Sequence, residues 1–176
     1  HAGLFSTAED MAIYATMMLQ DGKYGDVRVL AADTVKEMTT ARNAGNNQRG
    51  LGWDMRSVYS RNRGRSMSDR AFGHGGFTGT AMWIDPGLDL YVIFLSNRLH
   101  PDGKGEVNSL AGRIGAFACA AIEKNAADDG VSVGGHAESI GDPAKRIVNG
   151  STFGLASDAN QSSVQLGIDV LARDNF

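Results

Sequence analysis

One short stretch concentrates the residue types that could do chemistry. Phe72-Gly73-His74-Gly75-Gly76-Phe77-Thr78-Gly79-Thr80 sets four glycines around a single histidine. A histidine titrates near neutral pH, so it can act as a donor, as a general acid or base, or as an anion contact. Glycine is unfavourable inside a strand, and it is tolerated where a backbone must approach a neighbour or a ligand closely. Read without chemistry, the same stretch is a Gly-rich turn with a satisfied histidine, and the residues alone leave both readings open. The rest of the chain offers less. His1, His100 and His136 lack the helical spacing with carboxylates that a zinc site shows, and no Gly-x-Ser-x-Gly elbow occurs. The single cysteine, Cys119, sits in Ala116-Phe117-Ala118-Cys119-Ala120 and reads as an inert buried thiol. No metal site and no cofactor are expected.

Stepping outward from the cluster, the neighbouring sequence predicts the elements that hold it. Thr80 to Ile84 and Leu90 to Leu95 are β-prone runs joined by Asp85-Pro86-Gly87-Leu88-Asp89, whose Pro-Gly pair signals a turn, so they form an antiparallel hairpin. Gly50 to Met55 alternates as a strand does, and Ala41 to Gln48 reads as a loop from its Asn, Gly and Arg content. The expected strands lie near 51–56, 71–76, 79–85 and 89–96. Val107, Leu110, Ala111, Ile114, Phe117, Ala118 and Ala121 recur at helical spacing and predict a helix of about 106–124 covering one face of the sheet. Near the start, Met11, Tyr14, Ala15 and Met18 mark a helix over about 7–20, with Ser6 and Glu9 as a capping box and Gly22 as its C-terminal cap. A second helix spans about 32–40. Residues 57–70, rich in Ser, Arg and Asn, read as a solvated excursion, where Arg56, Arg61, Arg63, Arg65 and Arg70 form a charged exposed loop able to meet an anion. The fold class is α/β of the α+β type.

Composition removes several functions. The 17 basic and 20 acidic residues are scattered, with no cationic stripe, so nucleic acid is not an expected partner. The longest apolar runs fall far short of the roughly 20 residues that cross a bilayer. The chain opens on His1-Ala2-Gly3-Leu4 and stops at Phe176 shortly after a new apolar run begins, so a piece of a larger protein is expected. Residues 125–162, rich in Gly, Ala, Asp and Ser, read as a linker, and 163–176 as the start of a second domain.

Several segments, in order, resemble the C-terminal half of the β-lactamase-related and penicillin-binding serine hydrolases. They are Ala2 to Ala12, Leu51-Gly52-Trp53, the cluster Gly73 to Thr80, Trp83-Ile84-Asp85-Pro86, and Leu95 to Pro101. The likeness covers about residues 1–124 and implies a β-lactamase/transpeptidase-like fold, with an antiparallel sheet covered by a C-terminal helix. His74-Gly75-Gly76 resembles the family's third active-site motif, Lys/His-Thr/Ser-Gly. The resemblance implies that His74 orients the substrate carboxylate and the proton network around the nucleophile. It implies that Gly76 lets the strand approach the substrate, with Gly75 and Thr78 beside it. The N–H of Phe77 becomes one of two oxyanion-hole donors. Gly75 departs from the family by lacking the usual hydroxyl.

The family's nucleophile belongs to a Ser-x-x-Lys motif, and that spacing occurs nowhere in these 176 residues. The implied parent is therefore a serine hydrolase with its nucleophile upstream, acting on an ester, amide or peptidoglycan-derived peptide in the periplasm or outside the cell. Its partners are that substrate and the N-terminal half of the same domain, and the fragment alone is expected to be inactive. Ser60-Arg61-Asn62 matches the second motif, Ser/Tyr-x-Asn, in the wrong order along the chain and is taken as coincidence. Gln165 to Phe176 resembles the opening of the exo-acting N-acetylmuramidases, which allows an accessory segment of a peptidoglycan glycosidase. A non-catalytic cell-wall binding or scaffold module is the other alternative.

Overall fold

Met11, Tyr14, Ala15 and Met18 share one face of α1 (Ala8–Leu19), with Ala15 and Met18 fully buried. The computed structural model describes residues 4–100, 102–128 and 167–172. The cap of α1 lies one residue later than the capping-box reading: Thr7 accepts from the Asp10 N–H at 3.2 Å. At the other end Asp21 takes the left-handed conformation at φ 50°, and Gly22, at φ 87°, donates its N–H to the Met17 carbonyl at 2.9 Å. That six-residue return closes the helix. A small hairpin, β1 (Lys23–Tyr24) and β2 (Val27–Arg28), leads to α2 (Ala32–Thr39), which buries Val35.

The main sheet has seven antiparallel strands in chain order: β3 (Arg42–Ala44), β4 (Asn47–Arg49), β5 (Asp54–Arg56), β6 (Phe72–Gly75), β7 (Ala81–Asp85), β8 (Leu90–Leu95) and β9 (Gly167–Ala172). The segment expected as a loop is the β3–β4 hairpin, with Ala44 opposite Asn47 and Gly45, at φ 61°, in its two-residue turn. Its strands lie at one end of the sheet and are largely exposed, so they carry no apolar alternation. Strand β5 is also shorter than expected, because Leu51 and Gly52 are exposed and precede it. Strand β9 pairs with β8 from Leu90↔Ala172 to Leu95↔Gly167. The remainder of the segment expected to open a second domain, and residues 129–162 of the expected linker, lie outside the described residues.

Strands β7 and β8 sort their residues between two cores by simple alternation. Ile84, Tyr91 and Ile93 join Trp53, Met55 and Phe72 beneath α1. Ala81, Trp83, Leu90, Val92 and Phe94 join Ala111, Ala118 and Cys119 of α3 (Asn108–Asp128). A strand covered on both faces has no polar face, which is why β8 reads Leu-Tyr-Val-Ile-Phe-Leu. Helix α3 covers its face of the sheet as expected, yet its apolar stripe is rotated. Phe117 is 73% exposed and Ala121 is also exposed, while Ala111, Gly115, Ala118 and Cys119 face inward.

The excursion 57–70 is the largest departure. It contains a 3-10 turn, Ser60–Asn62, and buries Asn62, Gly64 and Met67. It docks on α3 through glycines: a Cβ on Gly64 would stand 2.6 Å from the Gly115 carbonyl carbon, and one on Gly112 would stand 2.7 Å from the Arg61 oxygen. Hydropathy cannot register a polar segment that is buried by backbone-to-backbone approach. The arginines there do not act together: Arg56 pairs with Asp69 at 2.6 Å, and Arg63 donates to the carbonyls of Met67 and Ser68 while lying 6.0 Å from the Trp83 ring centroid.

Candidate active site

The Gly-His cluster straddles the end of β6 and the turn into β7. His74 lies opposite Met82 and Gly75 opposite Ala81, after which the chain leaves the ladder. The turn 76–79 is closed by Gly76 N–H donating to the Thr80 carbonyl at 2.6 Å and Gly79 N–H donating to the Gly76 carbonyl at 3.0 Å. Gly79 sits at φ 107°, and a Cβ there would meet Ser96 Oγ at 2.7 Å. The glycine is needed both for its conformation and for this approach.

His74 is exposed, so its imidazole faces open space rather than the core. Its Nδ1 lies 2.8 Å from the Gly75 carbonyl and its Nε2 lies 3.4 Å from Arg49 Nη1. A carbonyl can only accept and a guanidinium can only donate, so the two contacts together fit the neutral tautomer with its proton on Nδ1. Arg49 also sits 5.9 Å from the ring centroid of the exposed Tyr59.

Phe77 is 76% exposed, and among the described residues its N–H donates to nothing. Its carbonyl is held from the far side, where Arg98 Nε donates to it at 2.6 Å with the guanidinium carbon 4.7 Å from the ring centroid. The backbone N–H of Arg98 donates to the Thr78 carbonyl at 2.9 Å, and Ser96 Oγ donates to the Gly79 carbonyl at 2.6 Å. The segment after β8 thus grips the turn by three carbonyls and leaves the Phe77 N–H unengaged. Thr78 lines a shallow open pocket with Ser96, Asn97, Leu99 and His100.

All five residues singled out from the sequence, His74, Gly75, Gly76, Phe77 and Thr78, therefore fall on one continuous edge. Sequence reading missed Arg49, Ser96, Arg98 and Asn62. Ser96 and Arg98 lie in a segment that carried the family likeness but suggested no role. Asn62 lies in the Ser-x-Asn triplet set aside as coincidence, and it is buried directly behind Gly75, where a Cβ would fall inside the contact distance of its amide nitrogen. The side chain missing at position 75 thus has a local cause. Among the described residues no group of three or more His, Cys, Asp or Glu is placed to hold a metal, and no helix is long and apolar enough to cross a membrane.

The chain is similar in sequence to several curated proteins. A provisionally named D-alanyl-D-alanine carboxypeptidase of Escherichia coli O157:H7 is 39% identical over 102 residues, covering 57% of this chain and 23% of its own length. An N-acetylmuramyl-L-alanine amidase of Bacillus subtilis is 38% identical over 108 residues, with the same shares. The chain spans about a quarter of the length of such curated relatives. The family model described as Beta-lactamase matches residues 1–116, which takes in the whole Gly-His edge and the first turns of α3, and the chain belongs to the beta-lactamase family.

Proposed function

We propose that this chain supplies one wall of the catalytic cleft of a serine hydrolase acting on peptidoglycan-derived peptides, outside the cytoplasm. The observation that carries the reading is the Phe77 N–H, without a partner among the described residues, in the exposed turn that follows β6 and three residues after His74, in a chain of this family. The names of the relatives, a carboxypeptidase and an amidase, support an amide of the cell wall as the bond cleaved.

In this reading a serine of an upstream Ser-x-x-Lys motif attacks the substrate carbonyl, and its proton passes to a neighbouring base. The carbonyl oxygen becomes an oxyanion that accepts from the Phe77 N–H and from the N–H of the nucleophile. One such preorganised donor contributes about 3–4 kcal/mol to the transition state. The tetrahedral intermediate collapses, the C–N bond breaks, and the amine leaves with a proton. Water then hydrolyses the serine ester. In this reading His74 and Arg49, 3.4 Å apart, meet the departing or carboxylate end of the peptide. On the same reading the extended substrate lies along the backbone of residues 75–77, whose glycine Cβ positions are taken up by Asn62 and Thr80.

The test is covalent labelling of the protein carrying its upstream segment with a fluorescent β-lactam and a fluorescent phosphonate. A serine adduct with either reagent is expected. Absence of any adduct in a folded sample would overturn the enzymatic reading and leave a module that binds cell-wall peptides.

A further inference from the structure

Asn62 is 4% exposed, although it lies in a segment whose neighbours Arg61 and Arg65 are exposed, and the polar atoms of its amide are engaged. Its Oδ1 accepts the indole N–H of Trp83 at 3.0 Å, and its Nδ2 donates to Asn108 Oδ1 at 3.4 Å. Trp83 belongs to β7, and Asn108 begins α3. The amide also abuts Gly75 of β6: a Cβ at position 75 would overlap Asn62 Nδ2 and stand 3.1 Å from its Cγ. One side chain thus touches three elements at the point where β6 leaves the sheet, one residue before the turn that presents the Phe77 N–H. The turn carrying it is itself locked to α3 by the Gly64–Gly115 and Gly112–Arg61 approaches.

We propose that Asn62 is a positioning residue for the site edge: its amide fills the volume behind Gly75, excludes any side chain there, and sets how the Gly75–Phe77 backbone lies. A buried amide bonded at both ends has one orientation, whereas an apolar side chain of the same size would leave the Trp83 indole N–H without an acceptor in a dry core. The only atoms of Asn62 within 3.5 Å of the Cβ position at residue 75 are its amide group, so alanine at 62 would clear the space. The proposal does not depend on acyl transfer, and its test uses no catalysis, so either can fail alone.

The experiment compares the full chain with N62A, G75S and N62A/G75S by thermal unfolding and by amide hydrogen exchange. G75S is expected to melt lowest of the four, and the double variant to melt above G75S because the serine enters the space that Asn62 vacates. In N62A the Gly76 N–H, bonded to Thr80, is expected to exchange about tenfold faster, the scale of one hydrogen bond's worth of local order. The Gly22 N–H, bonded to Met17 far from the site, should keep its wild-type rate. Equal acceleration at both amides would show a merely structural residue and overturn the proposal, as would G75S melting with the wild type or the double variant melting no higher than G75S. If G75S does not fold, recovery of folding in the double variant supports the proposal, and failure of the double variant while N62A folds overturns it. If N62A itself does not fold, the Trp83 indole N–H of the wild-type chain decides: protected from exchange supports the proposal, and freely exchanging overturns it.

Discussion

Arg98 holds Phe77 by both ends of its polarity: the guanidinium Nε donates to the Phe77 carbonyl at 2.6 Å while the same cation lies over the Phe77 ring. Nη1 meanwhile reaches the Gly105 carbonyl at 3.2 Å, so one planar fork ties the site turn to the connection before α3. Replacing Arg98 with Ala should cost about 1–2 kcal/mol of stability, since charge-assisted hydrogen bonds are lost at a partly exposed position. Arg98→Lys should recover little, because an ammonium cannot span two carbonyls in a fixed plane. Urea midpoints of the two variants against the wild type give the comparison.

The role proposed for Phe77 belongs to its backbone, and side-chain and backbone changes separate the two. Phe77→Ala keeps the N–H and should retain most β-lactam labelling in the protein with its upstream segment. Phe77→Pro removes the donor and should slow labelling by about 10²–10³-fold, the scale for loss of one oxyanion-hole donor. Equal labelling rates for the two variants, with both folded, would remove Phe77 from the oxyanion site.

What the sequence made legible follows from what hydropathy and turn chemistry can encode. The β7–β8 hairpin was readable because Pro86-Gly87 interrupts two apolar runs, and the His74 edge because its glycines have no other good use. The β3–β4 hairpin was not, since Arg42-Asn43-Ala44 and Asn47-Gln48-Arg49 carry a single small apolar residue, Ala44, and no alternation. The burial of Asn62 was hidden for a related reason: a polar residue goes inside when partners 21 and 46 positions away satisfy it, and neither spacing is visible locally. Phe117 misled in the opposite direction, because a large apolar residue at helical spacing reads as core, whereas the close packing of α3 on 57–70 selects small residues, Gly112 and Gly115.

A third prediction concerns Asp85, wholly buried at the end of β7. Its carboxylate accepts the Ser68 N–H at 2.6 Å, the Ser68 hydroxyl, and the Gly87 N–H at 2.8 Å. It therefore joins the 57–70 excursion to the β7–β8 turn. Asp85→Ala removes the acceptor of all three donors, two of them on half-buried Ser68, and should cost about 2–3 kcal/mol. Asp85→Asn, which keeps one acceptor, should cost less. A loss under 1 kcal/mol in Asp85→Ala, read from the urea midpoint, would mean that the excursion is pinned by its contacts with α3 and Trp83 without help from Asp85.

The last prediction is for alkaline pH. Cys119 has no exposed surface, and burial first, with the nearby charges of Asp85 and Glu123 second, pushes its thiol from an ordinary 9.0 up to about 11. The native state thus holds the proton more tightly than the unfolded chain does. Its contribution to stability is complete below pH 9 and is lost as pH rises through about 11. Burial also raises the Tyr14 phenol above 10.0, which acts in the same direction at somewhat higher pH. Stability measured by urea unfolding should therefore fall between pH 9 and 11, and more steeply in the wild type than in Cys119→Ala, which keeps only the Tyr14 contribution. The same burial predicts that an aromatic disulfide reagent labels Cys119 at the rate of unfolding, not at the rate of an exposed thiol. Parallel pH profiles for the two proteins, or immediate labelling at pH 8, would place Cys119 at the surface and undo the packing of α3 on the sheet described here.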